Sequence, residues 1–225
     1  MSRDLVNSRF AAVARACLVG APLLAIVSVL LQPTMNDDGG AAQLSAMAAH
    51  HGRGVAALAL QLGTVALLIV ALPALASLAA RRLPGWSAIG AGVAILGVLV
   101  LLFSAALTAV QLEMVSGGLD RGQMLALSHR MTHGALGAAG PLSILFTIGL
   151  LVLAAALRRA EALGTAAVAA VALGAILEPI GFAGGVRAIA VLSFVLLLGG
   201  FAAAARVYSG SPAPAAEPLA PQAAT

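Results

Sequence analysis

Every histidine in this chain, and every methionine but the first, falls in one of two short stretches. Met35, Met47, His50 and His51 occupy one; Met114, Met124, His129, Met131 and His133 occupy the other. Thioether and imidazole together are a donor set that suits copper, Cu(I) above all. The spacing permits a site. Met47 and His51 are four residues apart, as are His129 and His133, and residues so spaced share a helix face. If the two stretches converge, His51, His129, His133 and Met47 form a metal site, with Asp37, Asp38 and Asp120 near enough in sequence to orient the ligands. The same residues frame a haem alternative in which His51 and His133 are the axial ligands. No CxxCH run is present, so that haem would be of the b type, and the single histidine-bearing side leaves room for only one. A plainer reading competes with both. Histidine and methionine are ordinary where a membrane helix passes from polar to apolar surroundings, and GC-rich codon usage alone fills spans with Ala, Val, Leu and Gly.

The elements that must position these residues are six apolar runs. They cover about 10–31, 54–80, 86–112, 134–157, 162–180 and 185–207. A helix rises ~1.5 Å per residue and the hydrocarbon core is ~30 Å thick, so each run is long enough to cross a bilayer. The chain is 61% hydrophobic and 9% charged, with mean hydropathy +1.06. Soluble domains carry about 25% charged residues, so this composition cannot cover a water-facing surface. The expected fold is an all-α, polytopic bundle of six spans over 1–208, followed by a disordered cytoplasmic tail, 209–225, rich in Pro and Ala. The first run reads as a retained helix and not a signal peptide, since no small-residue cleavage site precedes Gln32-Pro33.

Orientation follows from arginine, which supplies all twelve basic residues. Arg3, Arg9, Arg15, Arg81, Arg82, Arg158, Arg159 and Arg206 fall on one side; Arg53, Arg121, Arg130 and Arg187 fall on the other. The positive-inside rule places the richer side, with both termini, in the cytoplasm of a bacterial plasma membrane, and segments 32–53 and 113–133 outside. Scattered at helix ends, these arginines form no nucleic-acid patch despite a pI near 11.0. The expected partners are the lipid bilayer, other membrane proteins or a second copy of the chain.

The chain divides into three out-and-back hairpins. The first two share an Asp-bearing outer segment that leads into a His-Gly pair, His51-Gly52 and His133-Gly134, a pattern open to a parallel internal repeat. Asp38 and Asp120 are placed to cap short helices. The stretches 41–51 and 121–133 then extend the second and fourth spans outward or lie flat at the interface. Gly90, Gly97 and Ser104, seven apart, and Gly134, Gly137 and Gly140 mark close helix packing. Pro73 and Pro141 are expected to kink their spans. Gln61, Thr64, Ser104, Thr108, Ser143 and Thr147 either line a path or bond back to their own helices. Glu178 precedes Pro179 and is expected to end the fifth span; with Glu113 it reads as a solvated cap. No charge lies near the middle of a span, which argues against a proton-coupled pump. The lone Cys17 reads as inert packing.

Gly20-Ala21-Pro22-Leu23-Leu24 in the first span, His51-Gly52-Arg53 entering the second and Ala156-Leu157-Arg158-Arg159 ending the fourth resemble uncharacterised multi-pass membrane proteins of GC-rich actinobacteria. That resemblance implies six membrane helices and supplies no activity. GxSxG, HExxH and Walker motifs are absent, so the expectation is not an enzyme but a membrane protein with a structural or accessory role. The alternatives are a copper or haem protein and a small-molecule transporter.

Overall fold

The computed structural model describes residues 3–35, 40–117, 120–134 and 141–210, and every regular element among them is helical. In chain order these are α1 (Arg3–Leu31), α2 (Ala41–Ala49), α3 (His51–Ala80), α4 (Pro84–Ser116), α5 (Arg121–His133), α6 (Ile144–Arg159), α7 (Thr165–Ala183) and α8 (Arg187–Gly210). Six stretches, one in each of α1, α3, α4, α6, α7 and α8, are long and apolar enough to cross a membrane. Their outer surfaces present Phe10, Leu62, Ile69, Leu96, Phe103, Leu173 and Leu192. Large side chains of this kind arranged round a whole bundle suit lipid and not water. This is an all-α, multi-pass membrane fold.

The six long helices stand in a closed ring in chain order, each packed on the next, with α8 returning to α1. One end of the ring carries the Arg81-Arg82 and Arg158-Arg159 turns; the other carries the short helices α2 and α5. At the arginine-pair end the interior is solid. Leu18, Leu72, Leu75, Leu150, Leu153, Leu157, Val171 and Phe201 are all at most 2% exposed there. Trp86 lies under the Arg159 guanidinium, 5.6 Å from its ring centre, as suits an aromatic anchor at a membrane–water boundary. Arg82 reaches Glu161 at 3.0 Å across two neighbouring turns.

The small-residue stripe on α4 is a packing seam against α6. A Cβ on Gly97 would overlap the Phe146 backbone nitrogen, and one on Gly149 would overlap the Ala94 nitrogen. Gly90 meets Leu153 in the same way, 2.9 Å from its Cγ. The seven-residue spacing therefore holds for Gly90 and Gly97, whereas Ser104 leaves the seam and faces a cavity. Gly137 and Gly140 lie outside the described residues.

Several boundaries differ from the expectation. Pro141 begins the fourth span, where its fixed φ and missing N–H suit a helix start, and does not kink it. The outward stretches form separate helices: α2 ends at His50, whose φ −129° and ψ 38° break the run before α3. Asp120 caps α5 as its side chain predicts, accepting from the amides of Gly122 at 2.9 Å and Gln123 at 3.3 Å. Asp38 and the tail 211–225 lie outside the described residues. The fifth span does not stop at Glu178. α7 continues to Ala183 and closes where Gly185, at φ 63°, lets the Val186 amide reach back to the Gly181 carbonyl at 2.9 Å.

Candidate functional site

The histidines divide. His50 is exposed at the α2–α3 break and His51 is half-buried at the start of α3. His129 and His133 are exposed on successive turns of α5, their rings tilted at 44° with centres 4.3 Å apart. The long helix against which α5 packs is α4. Met47 points the other way, into the protein, at 5% exposure. The structure thus brings His129 and His133 together and holds Met47 in an interior wall. Among the described residues no three His, Cys, Asp or Glu side chains gather as a metal-binding group. Of the acids expected to orient ligands, Asp120 is occupied as a helix cap, and Asp37 and Asp38 lie outside the described residues.

The interior wall that takes Met47 belongs to a cavity of about 500 Å³ at the α2/α5 end of the ring. It opens between α1, α3, α4, α6, α7 and α8, and α2 contributes Gln43 and Met47. Most of its wall is aliphatic or aromatic. Gln61, Thr64, Ser104, Thr108 and Ser143 add amide and hydroxyl groups. Both expectations for these side chains hold in part. Thr64 and Thr108 line the cavity while donating back to their own helices, to the Leu60 carbonyl at 2.9 Å and the Ser104 carbonyl at 3.0 Å.

Glu178 is the residue that sequence reasoning misplaced. It is 8% exposed and forms part of the cavity wall, so it is no solvated cap. The helix carries it inside because the consequences of Pro179 are met by a neighbour. Proline supplies no N–H to the carbonyl four residues back, here Ala175, and an unpaired carbonyl is costly where water is excluded. The Thr147 hydroxyl, from α6, donates to that carbonyl at 3.1 Å. One inter-helix hydrogen bond thereby lets α7 pass through a proline and keeps the preceding carboxylate, Glu178, in the cavity wall. A Thr147→Val substitution keeps the shape and removes the donor. The expected result is a loss of about 1–2 kcal/mol, within the range for hydrogen bonds between membrane helices. It would be read as a lower unfolding midpoint in detergent, and an unchanged midpoint would refute this role for Thr147.

Two further devices shape the α2/α5 end. Gln43 Nε2 donates to Gln111 Oε1 at 3.2 Å, and Gln111 Nε2 donates to Ser128 Oγ at 3.2 Å. This chain ties α2 and α5 to α4, and all three side chains are at most 3% exposed. The C-terminal carbonyls of α1 take two cations: Arg187 Nη2 donates to the Gln32 carbonyl at 2.6 Å and Arg53 Nη2 to the Leu30 carbonyl at 3.3 Å. Positive charge at a helix C-terminus is favourable, and it holds the rim of the cavity beside α1.

Sequence reasoning therefore misplaced Glu178 and passed over Phe182 and Phe194. A signal was present for the first two: an acid and an aromatic four residues apart inside an apolar run place both on one helix face. No protein-family model, curated protein or solved structure matches this chain, so no relative assigns a role to these residues.

Proposed function

We propose that this multi-pass membrane protein binds a small molecule in the cavity at its α2/α5 end. The observation that carries the reading is the cavity itself. Its volume of about 500 Å³ falls within the ~300–1,000 Å³ typical of small-molecule sites, and its wall has their usual character, apolar with a few polar groups. The packed leucines beneath it make this conformation a one-sided pocket and not a channel. The arginine bias supports a bacterial plasma-membrane setting with both termini cytoplasmic, which turns the cavity toward the outside.

Filling the cavity tests the proposal. Ser104→Trp projects a bulky ring into the space, whereas Leu96→Trp changes a side chain that is 55% exposed on the outer surface. Native mass spectrometry of the purified protein, challenged with a panel of small amphiphiles, is expected to show adducts for the wild type and Leu96→Trp and none for Ser104→Trp. A wild type that stays bare throughout, or adducts indifferent to Ser104→Trp, would leave only a structural role. For orientation, a fluorescent-protein fusion after residue 225 is expected to glow and an alkaline-phosphatase fusion to stay inactive; the reverse pattern would invert the topology.

A further inference from the structure

We infer that the ligand is an organic cation with an apolar body, an ammonium or quaternary ammonium compound, held by the Glu178 carboxylate beside Phe182 and Phe194. This rests on the cavity being a binding site. Glu178 is the one ionisable side chain among the described residues that line the cavity. Among the described residues no hydrogen bond or ion pair reaches its carboxylate, although the residue is more than nine-tenths buried. Such a group is costly left alone: ionised it lacks a counter-charge, and neutral it lacks a hydrogen-bond partner. Among the described residues that line the cavity the remaining polar groups are amides and hydroxyls, and Arg187 at the rim is engaged through Nη2 with the Gln32 carbonyl.

The rings beside it complete the chemistry. Phe182 lies one turn beyond Glu178 on α7, and Phe194 from α8 meets it nearly edge-on, ring centres 6.3 Å apart and planes at 74°. Phe146 adds a third ring to the cavity wall. A carboxylate with aromatic rings close by is what an ammonium group requires, because ring faces attract cations and exclude water without hydrogen bonding. Other ligand classes fit poorly. An anion would be repelled by the carboxylate, and a neutral molecule would leave the ionised acid without a counter-charge. A hard metal ion takes about six or more oxygen ligands, several of them charged, and among the described residues only one carboxylate lines the cavity.

The test compares two small soluble probes on the full-length protein in nanodiscs of zwitterionic lipid, by calorimetry at fixed salt. Benzyltrimethylammonium carries the charge, and benzyl alcohol is its neutral counterpart. The wild type is expected to bind the cation at least about tenfold tighter than the alcohol, with Ser104→Trp abolishing that binding, in keeping with a desolvated cation–π and ion-pair site. Glu178→Gln is expected to remove the preference and leave alcohol binding unchanged. If both probes bind the wild type equally and Ser104→Trp blocks both, the cavity is a binding site and the cation assignment is overturned. If neither probe binds, the cavity reading fails along with it. The wild-type preference and its loss in Ser104→Trp decide the matter even if Glu178→Gln does not fold.

Discussion

Replacing Gly97 with leucine is expected to separate α4 from α6 and leave little folded protein. The two helices meet through reciprocal glycines. Gly97 receives the backbone of Phe146, whose Cα would lie 2.6 Å from an added Cβ, and Gly149 receives the backbone of Ala94, at 2.5 Å from its Cα. The obstacle at both points is main chain, which cannot rotate aside as a side chain does. Overpacking a well-fitted core commonly costs about 1–3 kcal/mol, and a whole leucine set against backbone lies at or above the top of that range. Lipid offers no compensation, because a helix pushed out of contact loses packing without regaining any hydrophobic drive. Size-exclusion chromatography of the detergent-purified protein should show Gly97→Leu aggregated or absent. Gly92→Leu is the control: nothing lies within 4 Å of its added Cβ, and it should elute and melt like the wild type. A Gly97→Leu protein that is monodisperse with an unchanged midpoint would mean that α4 and α6 do not pack through this seam.

The contrast between Gly97 and Gly92 shows what hydropathy conveys and what it omits. Six spans, their turns at the arginine pairs, the cap at Asp120 and the packing role of Gly90 and Gly97 follow from local physics: run length, charge at helix ends, a short acid before a first turn, and spacing. The order of the helices round the ring does not. In a soluble helix the buried face is apolar and the opposite face polar, so one sequence reveals its own orientation. Here both faces are apolar. Leu62 is 45% exposed and Leu68 is 5% exposed on the same helix, and the two residues are chemically identical. The cavity was invisible for the same reason, being a gap between helices whose lining reads like the rest of each span. Glu178 was misplaced because the rule that a residue before proline leaves its helix treats the chain locally. The bond that keeps α7 intact comes from Thr147, on another helix, and no local pattern announces it. The histidine stretches show how a sequence cluster divides in space. Their clustering in sequence comes from two short helices at one end of the bundle, which pair His129 with His133 but direct Met47 into the cavity.

Gln111→Leu is expected to release both of those short helices at once. Gln111 is the middle member of the Gln43–Gln111–Ser128 chain, accepting from α2 and donating to α5. Leucine has similar bulk, so packing survives while both bonds go. Removing one partner of a buried hydrogen bond costs about 1–3 kcal/mol, and here that cost falls on two short elements with little else to hold them. α2 has nine residues and α5 thirteen, about the length at which isolated helices are marginal in water, so their order depends on docking. Hydrogen exchange should therefore rise through 41–49 and 121–133 while the six long helices stay protected, a local opening and not global unfolding. Thr108→Val, one turn earlier on α4, supplies the comparison: its hydroxyl bonds only within its own helix, and exchange in α2 and α5 should not change. If Gln111→Leu also leaves that exchange unchanged, other contacts, among them the Arg121 Nη2 to Ser45 Oγ bond at 3.3 Å between α5 and α2, hold the two helices without the amide chain. The wall that Gln43 and Met47 give the cavity would then be fixed without the Gln111 amide. If exchange rises as expected, the same substitution should weaken binding of the benzyltrimethylammonium probe without touching Glu178, because part of the cavity wall has come loose.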